Sequence, residues 1–123
     1  TPMIKLTFAL VRLPSLSRED FQAYWHGTHG PLVASVREVL GIQRYVQMHS
    51  LPDEFSEPVR GSRDAPAPYD GVAQLWYESL EALGALMTKP EAQAAARLLL
   101  EDERKFIDHS RSPLWWGQER VIF

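Results

Sequence analysis

The chain has 123 residues, 45% hydrophobic and 24% charged, with a formal net charge of −3. That length and balance fit one soluble domain, residues 1–123, and offer no basic block to hold nucleic acid. No cysteine is present, which excludes disulfides, thiolate catalysis and Cys-ligated metals, and no apolar run nears the roughly 18 residues of a membrane span.

No leader peptide is visible, so a cytoplasmic protein is expected. Thr1 and Pro2 ahead of Met3 read as a remnant of expression without a role.

Met3 to Arg12 alternates. Ile4, Leu6, Phe8 and Leu10 share one face and Lys5, Thr7, Ala9 and Val11 the other, which predicts a strand. Ser17 is placed to cap a helix whose first turn carries Glu19 and Asp20. Phe21, Trp25, Thr28, Leu32, Val36 and Val39 recur at helical spacing, and Gly41 is the expected stop. Pro31 cannot donate to the carbonyl of Gly27, so the helix should kink or restart there.

Ile42 to Ser50 predicts a second strand, with Tyr45, Gln47 and His49 opposite Ile42, Arg44, Val46 and Met48. Leu51 to Tyr69 carries four prolines and reads as a long loop. Tyr69 to Glu78 predicts a third strand, with Asp70, Val72, Gln74 and Trp76 on one face. Ser79 caps a short helix. A second begins at Thr88, where Thr88 and Glu91 suggest a capping box and Pro90 suits the first turn. Asp108 to Pro113 reads as loop, and Trp115 to Phe123 as a fourth strand.

The order β-α-β-β-α-β is the ferredoxin-like α+β plan: a four-stranded antiparallel sheet with helices on one face. Lys5, Thr7, Tyr45, Gln47, His49, Asp70, Gln74 and Trp76 are expected on the other face. That face is too polar for a dry core and too aromatic for plain surface. Two such sheets facing each other would enclose a polar pocket, so a homodimer is expected.

Several candidates follow. A histidine with a carboxylate can remove a proton beside a carbonyl while a tyrosine steadies the enolate, so Tyr45, His49 and Asp70 form one candidate catalytic set. Lys5, Gln47, Gln74 and Trp76 would line its substrate pocket. His29 lies about 80° around the helical wheel from Phe21. It is either a half-buried histidine fixing the helix or a general acid/base. His26 and His29 at i,i+3 could meet one metal, but no acid lies between them and no third ligand follows, so no metal is expected. His109 is a solvated loop residue or a lid. Arg60 and Arg63 are solvated charges or guides for an anionic substrate. No Gly-rich nucleotide loop is present, and no cofactor is expected.

"FQAYWHGTHGPLV", "RYVQMH", "YDGVAQLWYESLEAL" and "DERKFIDHSRS…ERVIF", in this order, resemble the EthD family of dimeric α+β-barrel proteins. The wider superfamily includes muconolactone-type isomerases, polyketide cyclases, cofactor-independent monooxygenases and heme-handling enzymes. The resemblance therefore implies fold and dimerisation more firmly than chemistry. It puts the family's helix-motif histidine on His29, followed by Gly30, Pro31 and Leu32, and carries the polar strand residues onto Tyr45, Gln47, His49 and Asp70. Near Gln74 the resemblance implies a glutamate, and the amide here argues against a carboxylate base at that point.

The expected function is proton-transfer chemistry, as an isomerase, cyclase or lyase, or oxidoreductase-associated degradation, on a small aromatic or polyketide-like carbonyl compound. The alternatives are a carrier that serves a monooxygenase, and heme binding through a histidine.

Overall fold

Strand β1 (Ile4–Leu10) grows from the first alternating run, and its apolar face points at the helices. The computed structural model describes residues 3–123. The chain continues through α1 (Arg18–Tyr24), a π-helical turn at Trp25–His29, α2 (Gly30–Ser35), α3 (Arg37–Leu40) and β2 (Ile42–His49). After α4 (Glu57–Gly61) come β3 (Gly71–Tyr77), α5 (Leu80–Leu86), α6 (Pro90–Glu103) and β4 (Leu114–Gln118). The strands form one antiparallel sheet in the order β2-β3-β1-β4, the ferredoxin-like topology. Among the described residues no helix is long and apolar enough to cross a membrane.

The expected caps form at Ser17, whose hydroxyl accepts the Asp20 N–H at 3.0 Å, and at Ser79, which accepts the Ala82 N–H at 3.0 Å. Gly41 ends α3 with φ 69°, a left-handed conformation that a Cβ would strain. The capping box does not form: Lys89 is the N-cap of α6, and the Thr88 hydroxyl turns back to the Ala85 carbonyl. The proline-rich loop contains a 3-10 turn (Asp53–Phe55) and α4. Strand β4 stops at Gln118, and Val121, Ile122 and Phe123 beyond it are exposed.

Two departures from regular periodicity move side chains. The first is the π-turn, which takes more residues per revolution than an α-helix. A regular helix would bury Thr28 and Leu32. The wide turn shifts the buried stripe by one residue, so Phe21, Trp25, His29 and Val33 are buried and Thr28 is exposed. Pro31 stands in the first turn of α2, so the helix restarts there as expected.

The second departure is a β-bulge between Ile42 and Arg44. A one-residue slip reverses every later side chain. Ile42 and Tyr45 therefore share the helix-covered face, and Arg44 joins Lys5 across Trp76 on the open face. Tyr45, Gln47 and His49 were expected on the open face, and the structure puts them under the helices instead.

Trp25, Phe21, Phe106 and Leu10 are the largest fully buried side chains. Trp25 leaves no room at Gly71. A Cβ there would overlap the indole and lie 2.8 Å from the Met48 carbonyl oxygen. Gly71→Ala is expected to cost about 2 kcal/mol through overpacking, read as a lower urea midpoint at unchanged m-value.

Candidate active site

Where α1, the π-turn and α6 meet, a histidine and an aspartate are buried together. His29 Nδ1 lies 2.7 Å from Asp102 Oδ2, and the Tyr24 hydroxyl donates to Asp102 Oδ1 at 2.6 Å. Both members of the pair are buried, with His29 5% and Asp102 6% exposed. Burial pushes the Asp102 carboxyl up, but the hydrogen bonds from Tyr24 and His29 and the charges of His29 and Lys105 outweigh it and hold it below the ordinary range. Tyr24 is pushed up to about 12, first by its bond to Asp102 and then by burial. An ionised Asp102 can only accept, so the network assigns the proton of His29 to Nδ1.

His29 Nε2 takes no protein hydrogen bond, and among the described residues no fully buried polar side-chain atom lacks a partner. Nε2 is therefore open to the space beside it. That space is a chamber of about 40 Å³ lined by His29, Tyr45, Glu103, Trp25, Phe8 and Leu75, among others. It holds one water or the reacting end of a ligand. The phase shift at the π-turn is what brings His29 to it.

Tyr45 is one wall of the chamber. It also lines a groove of about 460 Å³ between α2 and the edge of the sheet, with His26, Gly30, Pro31, Ala34 and Gln47. Gln47 Nε2 donates to the Trp25 carbonyl at 2.9 Å and to the Tyr45 hydroxyl at 2.8 Å, and Gln47 Oε1 lies 2.8 Å from His49 Nε2. The carbonyl partner fixes the amide orientation, so His49 donates from Nε2. Tyr45 accepts from Gln47 and keeps its own proton free to donate. Burial raises its pKa, so that proton stays in place at neutral pH. His49 stacks on Trp25 with ring centroids 4.4 Å apart, and burial and the neighbouring His26 lower its pKa.

The expected triad of Tyr45, His49 and Asp70 does not assemble. Asp70 is buried at the end of the sheet, where Oδ1 accepts from Arg12 at 2.5 Å and Arg18 at 3.0 Å, and Oδ2 accepts the Arg12 N–H at 2.8 Å. Burial pushes its carboxyl up, but these partners prevail and its pKa is lowered. It is a structural anchor for two arginines. Gln47 serves the network, not an open-face pocket.

Lys5, Gln74 and Trp76 do stand on the open face. Trp76 lies between Lys5 and Arg44, 5.2 and 4.8 Å from its ring, and donates to Glu119 at 2.5 Å. Arg60 pairs with Glu57 at 2.8 Å and lines none of these spaces. His109 lies 3.0 Å from Glu103 and stacks against Phe8. His26 and His29 point to different partners, and among the described residues no three His, Asp or Glu side chains gather as a metal site.

Sequence reading missed Asp102, Tyr24 and Glu103. A signal for Asp102 existed. Ala92, Ala95, Leu99, Asp102 and Phe106 follow the i+3, i+4 rhythm of a buried stripe, and an acid in such a stripe demands a partner.

The strand order, with the helices packed on one face of the sheet, gives a ferredoxin-like α+β fold. The chain belongs to the EthD domain family, which it matches over residues 13–110. It is 28% identical over 120 residues to the "Conidial pigment biosynthesis dehydratase EthD" of Metarhizium robertsii, covering 94% of this chain and 81% of that one. It is 27% identical over 109 residues to "Dehydratase ustZ" of Ustilaginoidea virens, covering 86% and 76%. Among solved structures, an EthD family protein of Bacillus halodurans C-125 superposes with a TM-score of 0.61 at 20% identity, covering 96% of this chain and 99% of that one.

Proposed function

We propose that this protein is a small-molecule lyase that removes water from a hydroxylated carbonyl compound. The observation that carries the reading is the buried His29–Asp102 pair, whose free Nε2 opens on a chamber shared with Tyr45. Asp102 fixes the tautomer, and Nε2 takes the proton next to the substrate carbonyl. The Tyr45 hydroxyl donates to the oxygen of the resulting enolate. Isomerisation or cyclisation would pass through the same enolate. The dehydratase names of the two curated relatives favour elimination.

The apolar lining of the chamber and the groove outside Tyr45 suit an aromatic or polyketide-like body with one reactive end. We also infer that two copies pair through the open sheet face, where Trp115 and Met48 are 51% and 55% exposed.

The test uses the aldol of benzaldehyde and acetone as substrate. Its conversion to benzylideneacetone above the uncatalysed rate, followed by absorbance, is the expected result. Tight binding with the aldol recovered unchanged would identify a carrier instead.

A further inference from the structure

We infer that Glu103 is a second catalytic residue, the acid that protonates the departing hydroxyl, and that His109 is the positioning residue that holds it. The inference rests on the lyase reading above. Elimination needs two proton transfers, because hydroxide leaves poorly without a proton. His29 performs one.

Glu103 ends α6, next to Asp102 in sequence, and lines the same chamber as His29 and Tyr45. The two neighbouring acids are used differently. Both oxygens of Asp102 are taken, by Tyr24 and His29. Glu103 binds only His109 through Oε1, at 3.0 Å, and its Oε2 takes no protein hydrogen bond among the described residues. The His109 side chain is 34% exposed against 20% for Glu103, so it links the carboxyl to solvent.

The Cα–H proton passes to His29 Nε2 and leaves the enolate that Tyr45 holds, and the electron pair of that enolate then forms the new C=C bond as the Cβ–O bond breaks. The leaving oxygen takes the proton of the Glu103 carboxyl and departs as water. Glu103 regains a proton from solvent through His109, and His29 returns one to solvent.

The experiment follows the aldol of benzaldehyde and acetone in D₂O by NMR, with wild type, Glu103→Gln, His109→Ala and His29→Ala. Deuterium entry at the methylene beside the carbonyl reports the His29 step, and benzylideneacetone reports elimination. Glu103→Gln is expected to lose about 10²-fold in elimination while deuterium entry is unchanged, with a smaller loss of the same kind in His109→Ala. Elimination and exchange falling together in Glu103→Gln, or both staying at wild-type rates, would overturn the assignment. If His29→Ala keeps both rates, the lyase reading itself fails, a separate outcome.

Discussion

His29→Ala will lower turnover of the aldol probe about 10³-fold while the protein still folds, an effect within the range of general acid/base groups. The substitution removes an imidazole that lines the chamber and whose Nε2 has no protein partner among the described residues. It leaves Tyr24 bonded to Asp102, and Lys105 lies 3.7 Å away, so the carboxylate is not abandoned. Asp102→Asn will act through the tautomer. An amide can donate to Nδ1, which moves the imidazole proton to Nε2 and removes the base. Its expected loss is about 10²-fold, with KM little changed, because the substrate does not touch Asp102. Tyr24→Phe should cost about 1.5 kcal/mol of stability through one charge-assisted hydrogen bond and leave kcat close to wild type. A purely structural His29 would give the opposite pattern, with lower melting temperature and intact turnover per folded molecule.

Phe106→Ala will be the largest single loss of stability, about 4 kcal/mol, which corresponds to a fall in Tm of roughly 15 °C for a chain of this size. Phe106 is fully buried, and its ring lies 5.6 Å from Phe21, 5.2 Å from Tyr24 and 5.0 Å from His29. The cavity left behind cannot collapse easily, because α1 and the π-turn are pinned to the sheet by Gln47 and Gln22. The same ring supports both partners of Asp102, so activity should fall as well. Thermal unfolding followed by circular dichroism measures the first effect. Phe106→Leu, which keeps most of the volume, should recover more than half of it.

The architecture was legible because the first three strands announced themselves by alternation and two of the helices by their serine caps. Ser17, Ser79 and Gly41 behave as their chemistry dictates. The site was less legible, for two local reasons. The bulge after Ile42 reversed the faces of β2, so Tyr45, Gln47 and His49, rightly grouped with one another, were grouped with the wrong face. A bulge leaves no composition signal in "IQRYVQMH". The π-turn moved the buried stripe from Thr28 to His29, which a strict 3.6-residue rhythm cannot anticipate. Pro31 and the glycines around it marked where the helix would depart from regularity, without giving the direction. Asp70, drawn into the candidate triad by its strand parity, is held by arginines that are distant in sequence.

We place the working site under the helices and not on the open sheet face. The direct measurement is an NMR titration with benzylideneacetone, the product of the probe reaction. It follows the imidazole signals of His29, the ring of Tyr45 and the indole N–H of Trp76. The His29 and Tyr45 signals are expected to shift together, saturably, while the Trp76 N–H, bonded to Glu119 on the open face, stays in place. Shifts at Trp76, Lys5 and Gln74 with an unmoved His29 ring would contradict it.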